Sequence, residues 1–196
     1  MRIDALKEIV KDCTKCDLCK TRTQVVFGEG SSSPKVLLVG DSPDDVEDAE
    51  GKMFLGDGGI KLDRILAYLG TDRSEVYLTN AILCNTPLNR YPRQEELAAC
   101  RWRLLEQINI LKPDLIVALG RAAFEQLRGE KIKGALSNFF PDKIDADWIK
   151  YTTDEHKCIM AVTYHPNYHL RSPERAYKVT LSHWKKIKEW LNEYQQ

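Results

Sequence analysis

Short apolar runs that alternate with amphipathic helical segments constrain the fold of this chain more than any other feature. The runs lack the apolar–polar alternation of half-exposed strands and are typical of strands buried on both faces. Strands that alternate with helices pair in parallel through right-handed crossovers. The sequence therefore predicts a three-layer α/β/α domain with a central four-stranded parallel sheet. The predicted strands are 35–40, 76–80, 114–120 and 158–164, and the predicted helices are 3–12, 60–70, 94–110, 121–128 and 174–193. We expect a long loop at 41–59, a hairpin or an irregular excursion at 129–157, and Leu181 of the last helix in the core.

Composition limits the classes of protein that need consideration. The 196 residues suit one domain spanning 1–196, and 43% hydrophobic with 30% charged residues argues against disorder. A formal net charge of zero excludes a generally polybasic binder, although a local basic groove is compatible with it. The opening MRIDALKEIVKDC has no apolar core of a signal peptide, and no apolar run is long enough to span a membrane. We expect a monomeric cytoplasmic protein without a membrane segment.

Six cysteines need an explanation in a cytoplasmic chain, where thiols stay reduced. Cys13 and Cys16 form a C-x2-C pair inside the N-terminal segment 1–30, and Cys84 and Cys100 follow far along the chain. Four thiolates hold tetrahedral zinc or an iron–sulfur cluster. The wide spacing of the second pair is less typical of a zinc ribbon and favours a cluster modestly.

Other readings of the cysteines remain open at this stage. Cys84 and Cys100 can instead be small buried apolar residues, since free cysteine is often buried. Cys19 continues the C-x2-C-x2-C run and can replace one of the other ligands. Cys158 opens the last predicted strand, and we expect it in the core.

Polar residues follow three of the predicted strands. Gly40-Asp41-Ser42-Pro43 comes after the first strand, Asn80 ends the second, and His165-Pro166 comes after the fourth. Ligands bind beyond the carboxyl ends of parallel strands, so the topology brings these residues to one candidate site.

Several separated motifs occur in an order that resembles one family. They are CTKCDLCKTRTQVVFGEG, KVLLVGDSPDDVEDAEGKMFLGDGG, YLTNAILCNTPLNRYPRQEELAAC and HPNYHLRSP. Together they resemble the iron–sulfur uracil-DNA glycosylases, family 4 of the uracil-DNA glycosylase superfamily. The resemblance implies a structural 4Fe-4S cluster held by Cys13, Cys16, Cys84 and Cys100. It also implies a base-stacking Phe54, a uracil-reading Asn80 and a catalytic His165.

The chemistry of such an enzyme suits these residue types. A glycosylase flips the nucleotide out of the duplex and reads it by stacking and edge contacts. An Asn80 amide can pair with N3–H and O4 of uracil, whereas cytosine presents the opposite pattern. His165 can donate to O2 of the departing uracil anion, and Asp41 is a candidate to stabilise the sugar cation. We also expect Gly40 and Ser42 to contact the substrate.

Each of these residues also has a plain structural interpretation. Phe54 can be a core residue under its loop, Asn80 a turn cap, and His165 a loop residue bonded to backbone. We expect uracil-containing DNA as the partner, held through its phosphates by basic residues, although these can equally be solvated charges. The candidate phosphate contacts are Arg90, Arg93, His169 and Arg171.

The sequence departs from the family pattern around the proposed pocket. The usual G-E-A/G-P-G is here Gly40 to Asp44 with a shorter acid, the usual P-F-V-G-R-A-G has Asp57 for arginine, and Asn167 replaces a small residue. Residues 41–63 carry eight acids and two bases, whereas 164–196 carry six bases and three acids. Two alternatives follow: a catalytically weakened superfamily member that binds DNA or a partner, and a metalloenzyme that uses the acidic residues Asp41, Asp44, Asp45 and Asp48.

Overall fold

A mixed six-stranded sheet forms the centre of the protein, in the order β1-β3-β2-β4-β6-β5. The computed structural model describes residues 1–140, 148–167 and 173–193, without the side chains of 173–179. The four central strands β3, β2, β4 and β6 are parallel, as predicted. The two edge strands are antiparallel and were not predicted. The strands are β1 Glu29–Gly30, β2 Val36–Gly40, β3 Tyr77–Asn80, β4 Leu115–Leu119, β5 Ile149–Thr152 and β6 Lys157–Thr163.

Helices cover both faces of this sheet and complete the three layers. Alternate residues of β2 and β4 face opposite sides, which gives one core with α3 and α6 and a second core with α4 and α5. The strands are buried on both faces, which explains their continuous apolar sequence. The helices are α1 Ile3–Val10, α2 Asp45–Glu50, α3 Gly56–Leu69, α4 Gln94–Leu111, α5 Arg121–Arg128 and α6 Pro173–Glu193.

The strand register gathers the candidate site at one edge of the sheet. Gly40 at the end of β2 pairs with Asn80 at the end of β3. The backbone N–H of Gly120, after β4, donates to the carbonyl of Thr163 at the end of β6. The four parallel strands thus deliver their following loops to the same place, as expected of such a sheet.

Two sequence predictions about local structure were wrong. Residues 41–59 were expected to be a long loop, but α2 lies within them and α3 begins at Gly56. Asp44 and Glu47 form a capping box on α2, which stabilises a helix too short to show a clear apolar period. Leu181 of α6 was expected in the core and is 44% exposed. Residues 129–157, expected to form a hairpin or an irregular excursion, contain β5, which pairs antiparallel with β6.

The N-terminal segment packs beside α4. Leu6 and Val10 of α1 are buried with Phe27 and Leu83, and Cys100 of α4 packs against them. A 3₁₀ turn at Asp17–Lys20 follows the first two cysteines. No helix in the described ranges combines the length and apolarity needed to cross a bilayer.

Candidate active site

Gly40, Asn80 and Phe54 meet at the end of the sheet. A Cβ built on Gly40 would lie 2.2 Å from Oδ1 of Asn80 and 2.9 Å from Cζ of Phe54. Glycine is therefore the residue that allows the amide and the ring to sit this close to the strand end. Asn80 is buried, and its Nδ2 lies 3.8 Å from Sδ of Met53. The predicted stacking and base-reading residues are neighbours.

Phe54 occupies a strained backbone conformation. Its φ is 50°, in the left-handed region that bulky residues rarely adopt and that costs about 1–3 kcal/mol. Arg73 donates from Nη1 to the carbonyl of Met53 and from Nη2 to that of Phe54, both at 2.8 Å. Glu47 accepts from the backbone N–H of Leu55 at 3.1 Å. The loop is thus clamped from two sides, which holds the Phe54 ring in place against its strain.

His165 lies beside the Phe54 ring, with ring centroids 5.9 Å apart and planes 23° from parallel. Its Nδ1 accepts from the backbone N–H of Asn167 at 3.3 Å, so the proton of the neutral ring lies on Nε2. Burial lowers the pKa of His165 to about 4. The site therefore holds a neutral imidazole with a donor available for a ligand.

Asp41 follows Gly40 directly and faces the N-terminus of α5. Its Oδ1 accepts from the backbone N–H of Ala123 at 3.1 Å. Burial raises the pKa of Asp41 to about 6, although the amides of Ala123 and Ala122 oppose this shift. The carboxylate is thus ionised at neutral pH and fixed by the helix end. Ser42 is half-buried one residue further along.

Four of the six acidic residues within 41–50, those of the metalloenzyme alternative, each contact different partners. Asp44 caps α2, and Asp48 accepts from the backbone N–H of Thr23 at 2.6 Å. Asp45 accepts from Asn85 and Asn89 at 3.1 and 3.2 Å. With Asp41 bound to α5, the four carboxylates of the metalloenzyme alternative point to different partners.

The sulfur atoms of the four predicted cluster ligands influence one another electrostatically. These ligands are Cys13, Cys16, Cys84 and Cys100. Burial raises the pKa of Cys16, and negative charge on the sulfur atoms of Cys100 and Cys13 would raise it further. Burial raises the pKa of Cys84 to about 11, with Cys100 and Cys16 adding to the shift. Within the described chain, no three His, Cys, Asp or Glu side chains are gathered closely enough to hold a metal ion.

Two arginines point at this thiol group, and the sequence prediction missed both. Arg22 Nη1 lies 3.3 Å from Sγ of Cys84, and Arg103 Nη2 lies 3.3 Å from Sγ of Cys100. Guanidinium donors favour thiolates over thiols. The chemistry of these donors therefore suits thiolate ligands at Cys84 and Cys100. Arg103 follows Cys100 by three residues on the buried side of α4, a spacing that offered the missed signal.

The remaining cysteines lie apart from these contacts. Cys19 is half-buried on the 3₁₀ turn after Cys16. Cys158 packs against the core on the α4 and α5 side, in agreement with its predicted place, and burial raises its pKa to about 12.

The candidate phosphate contacts have different surroundings. Arg90 forms a bidentate pair with the buried Glu96, at 2.8 and 2.5 Å, so its charge is already compensated. Arg93 is exposed at the start of α4. The predictions for His169 and Arg171 lie outside the described residues.

One departure from the family pattern has a structural counterpart. A Cβ built on Gly58 would lie 2.4 Å from Oδ1 of Asn167. The family's usual alanine would therefore require the exposed Asn167 side chain to move, whereas glycine leaves room for it. Asn167 is larger than the family's usual residue after Pro166, and Gly58 is smaller than the usual alanine in α3, so the two departures compensate each other in size. Asp57 is exposed in the first turn of α3, where a negative charge suits the helix dipole.

Comparison with known proteins gives the family. The model of the uracil DNA glycosylase superfamily matches residues 27–192. A type-4 uracil-DNA glycosylase of Thermotoga maritima is 39% identical over 171 residues, covering 87% of this chain and 84% of its own. One from Pyrobaculum aerophilum is 36% identical over 179 residues, covering 88% and 87%. One from Saccharolobus solfataricus is 33% identical over 191 residues, covering 97% and 87%. The chain belongs to the type-4 branch of the uracil-DNA glycosylase superfamily.

Proposed function

We propose that this protein is a DNA repair glycosylase that hydrolyses the N-glycosidic bond of uracil in DNA and leaves an abasic site. The observation that carries this function is the convergence of Asn80, Phe54 and a neutral His165 at one end of the sheet. Its type-4 relatives, named for the same activity, support it.

Recognition uses the amide and the ring. The flipped base stacks on Phe54, whose strained backbone is fixed before the substrate arrives. Asn80 Oδ1 accepts from N3–H of uracil while Nδ2 donates to O4. Cytosine has an acceptor at N3 and a donor at C4, so the same amide rejects it. A buried reader of this kind discriminates strongly, because a mismatched base leaves polar groups unpaired.

Bond cleavage needs a donor for the leaving base and a negative charge near the sugar. Nε2–H of His165 donates to O2 as negative charge develops there. The lowered pKa keeps the imidazole neutral, so it stabilises the anion without first losing a proton. Asp41 supplies the carboxylate that favours the developing oxocarbenium ion, and water completes the hydrolysis. Gly40 and Ser42 line the approach, and Arg93 contacts phosphate.

Cys13, Cys16, Cys84 and Cys100 are proposed as the ligands of a 4Fe-4S cluster. Support comes from the mutual influence of these thiols and from the arginines aimed at two of them. The cluster would join the N-terminal segment to α4 and to the segment after β3. A brown protein with broad visible absorption supports it, and a colourless protein with stoichiometric zinc contradicts it.

Purified protein tests the activity directly. A uracil-containing oligonucleotide is assayed with uracil opposite guanine, opposite adenine and in a single strand. Release of uracil that is lost in Asn80→Ala and His165→Ala supports the function. Tight binding of the same oligonucleotide without release would favour the weakened binding module. The monomeric state and the cytoplasmic location remain predictions.

A further inference from the structure

Arg103 is a buried cation that contacts both the cysteine site and the base-reading strand. It is 1% exposed, although arginine is one of the largest side chains. Its Nη2 donates to Sγ of Cys100 at 3.3 Å, to the carbonyl of Asn80 at 3.1 Å and to that of Ala81 at 2.9 Å. One nitrogen therefore joins a proposed cluster ligand to the residue proposed to read uracil.

The other contacts of Arg103 are neutral. Nη1 donates to Oε1 of Gln107 at 2.8 Å and to Oγ1 of Thr79 at 3.3 Å. Nε is buried and has no hydrogen-bond partner among the described residues. No carboxylate forms a salt bridge with this guanidinium in the part of the chain that the structure describes. A buried cation without an anion costs several kcal/mol, so the arrangement calls for negative charge close by.

The thiolate of Cys100 is the group placed to supply that charge. Sulfur that binds a metal cluster is deprotonated, and a charge-assisted bond to it is stronger than a bond to a neutral thiol. An occupied site would hold the guanidinium toward Cys100. The same nitrogen would then stay in register with the carbonyls of Asn80 and Ala81.

We propose that Arg103 is a positioning residue that couples occupancy of the cysteine site to the placement of Asn80 for uracil. This inference rests on the proposed function. Coupling between two sites is reciprocal. If the bound cluster increases the affinity for uracil by some factor, bound uracil increases the affinity for the cluster by the same factor. Arg22 offers the contrast, because it contacts Cys84 and makes no described bond to the strand end.

The first measurement uses the protein without substitution. Loss of visible absorption is followed in a chelator with and without saturating free uracil. We expect uracil to slow the loss about fivefold, the lower end of ordinary coupling. The Arg103→Lys variant keeps the positive charge but loses the planar guanidinium with its several N–H donors. In this variant, saturating uracil should not slow the loss of the cluster. Equal rates of loss with and without bound uracil in the unsubstituted protein would overturn the coupling.

Variants separate positioning from simple support of the fold. Arg103→Lys should weaken inhibition by free uracil about fivefold and also speed cluster loss. Arg22→Met should speed cluster loss but weaken uracil inhibition less. Arg101→Lys, on the same helix and bonded to the carbonyl of Leu127, is the control expected to change neither. Equal weakening of uracil inhibition by Arg22→Met and Arg103→Lys refutes the specific path through Arg103.

The outcomes also separate this inference from the proposed function. An unsubstituted protein that releases uracil from DNA but shows no reciprocal effect contradicts the coupling alone. A protein that neither binds uracil nor releases it contradicts the function. If Arg103→Lys fails to fold, the comparison in the unsubstituted protein still decides the question.

Discussion

Replacing Arg73 with methionine should release the Phe54 loop. Arg73 donates to the carbonyls of Met53 and Phe54, both at 2.8 Å, and its side chain is 31% exposed. A hydrogen bond from a charged group contributes about 1.5–3 kcal/mol, which solvent reduces here to about 1 kcal/mol each. The sum of about 2 kcal/mol is comparable with the strain of about 1–3 kcal/mol at Phe54, so the loop should relax. If all of it is lost from substrate positioning, kcat/KM falls about 30-fold.

The assay is single-turnover release of uracil from a duplex oligonucleotide, with unfolding temperature measured in parallel. In a Phe54→Ala background, Arg73→Met should add little further loss, because its effect acts through the ring. Arg101→Met is a matched control, since Arg101 also donates to backbone carbonyls but at Gln126 and Leu127. An Arg73→Met activity within about twofold of the unsubstituted protein would refute the reasoning. So would an undiminished loss in the Phe54→Ala background.

Three further predictions concern the pocket. Gly40→Ala should abolish most uracil release, because a Cβ would lie 2.2 Å from Oδ1 of Asn80; retained activity in the oligonucleotide assay would contradict this. Gly58→Ala should lower activity slightly, because the exposed Asn167 side chain must move away from the new Cβ, and adding Asn167→Ser should restore it; a double variant no better than the single one argues against this fit. His165 should titrate by NMR near pH 4 instead of 6.5, since burial lowers its pKa to about 4. As pH falls, the imidazole of His165 is protonated in the unfolded chain before it is protonated in the folded protein, so His165 lowers stability between pH 6.5 and about 4. A titration midpoint of His165 near 6.5 in the folded protein would contradict this prediction.

The central sheet could be predicted because its strands carry a strong local signal. Continuous apolar runs separated by helices determine both the parallel pairing and the edge at which Gly40 and Asn80 meet. β1 was missed because it has only two residues and pairs with β3, which is distant in the chain, and β5 was missed because it is a four-residue strand at the sheet edge. For α2 a signal was present, since Asp44 and Glu47 have the spacing of a capping box.

The candidate site also contains residues that the sequence predicted and residues that it did not. Gly40, Asn80 and His165 could be predicted as site residues because they follow parallel strands, and the topology brings the ends of those strands to one edge of the sheet. The supporting residues were not, because Arg73 and Glu47 reach the Phe54 loop through long-range contacts that leave no periodic pattern. Arg90, which we expected to contact phosphate, pairs with Glu96 six residues further along the chain, and its contact with DNA stays a prediction.

Uracil release from DNA tests the central claim most directly. The unsubstituted protein should free uracil from a uracil-containing oligonucleotide and leave an alkali-labile abasic site, and Asn80→Ala and His165→Ala should reduce this by at least about 100-fold. Release no faster than that of the two variants would contradict the account.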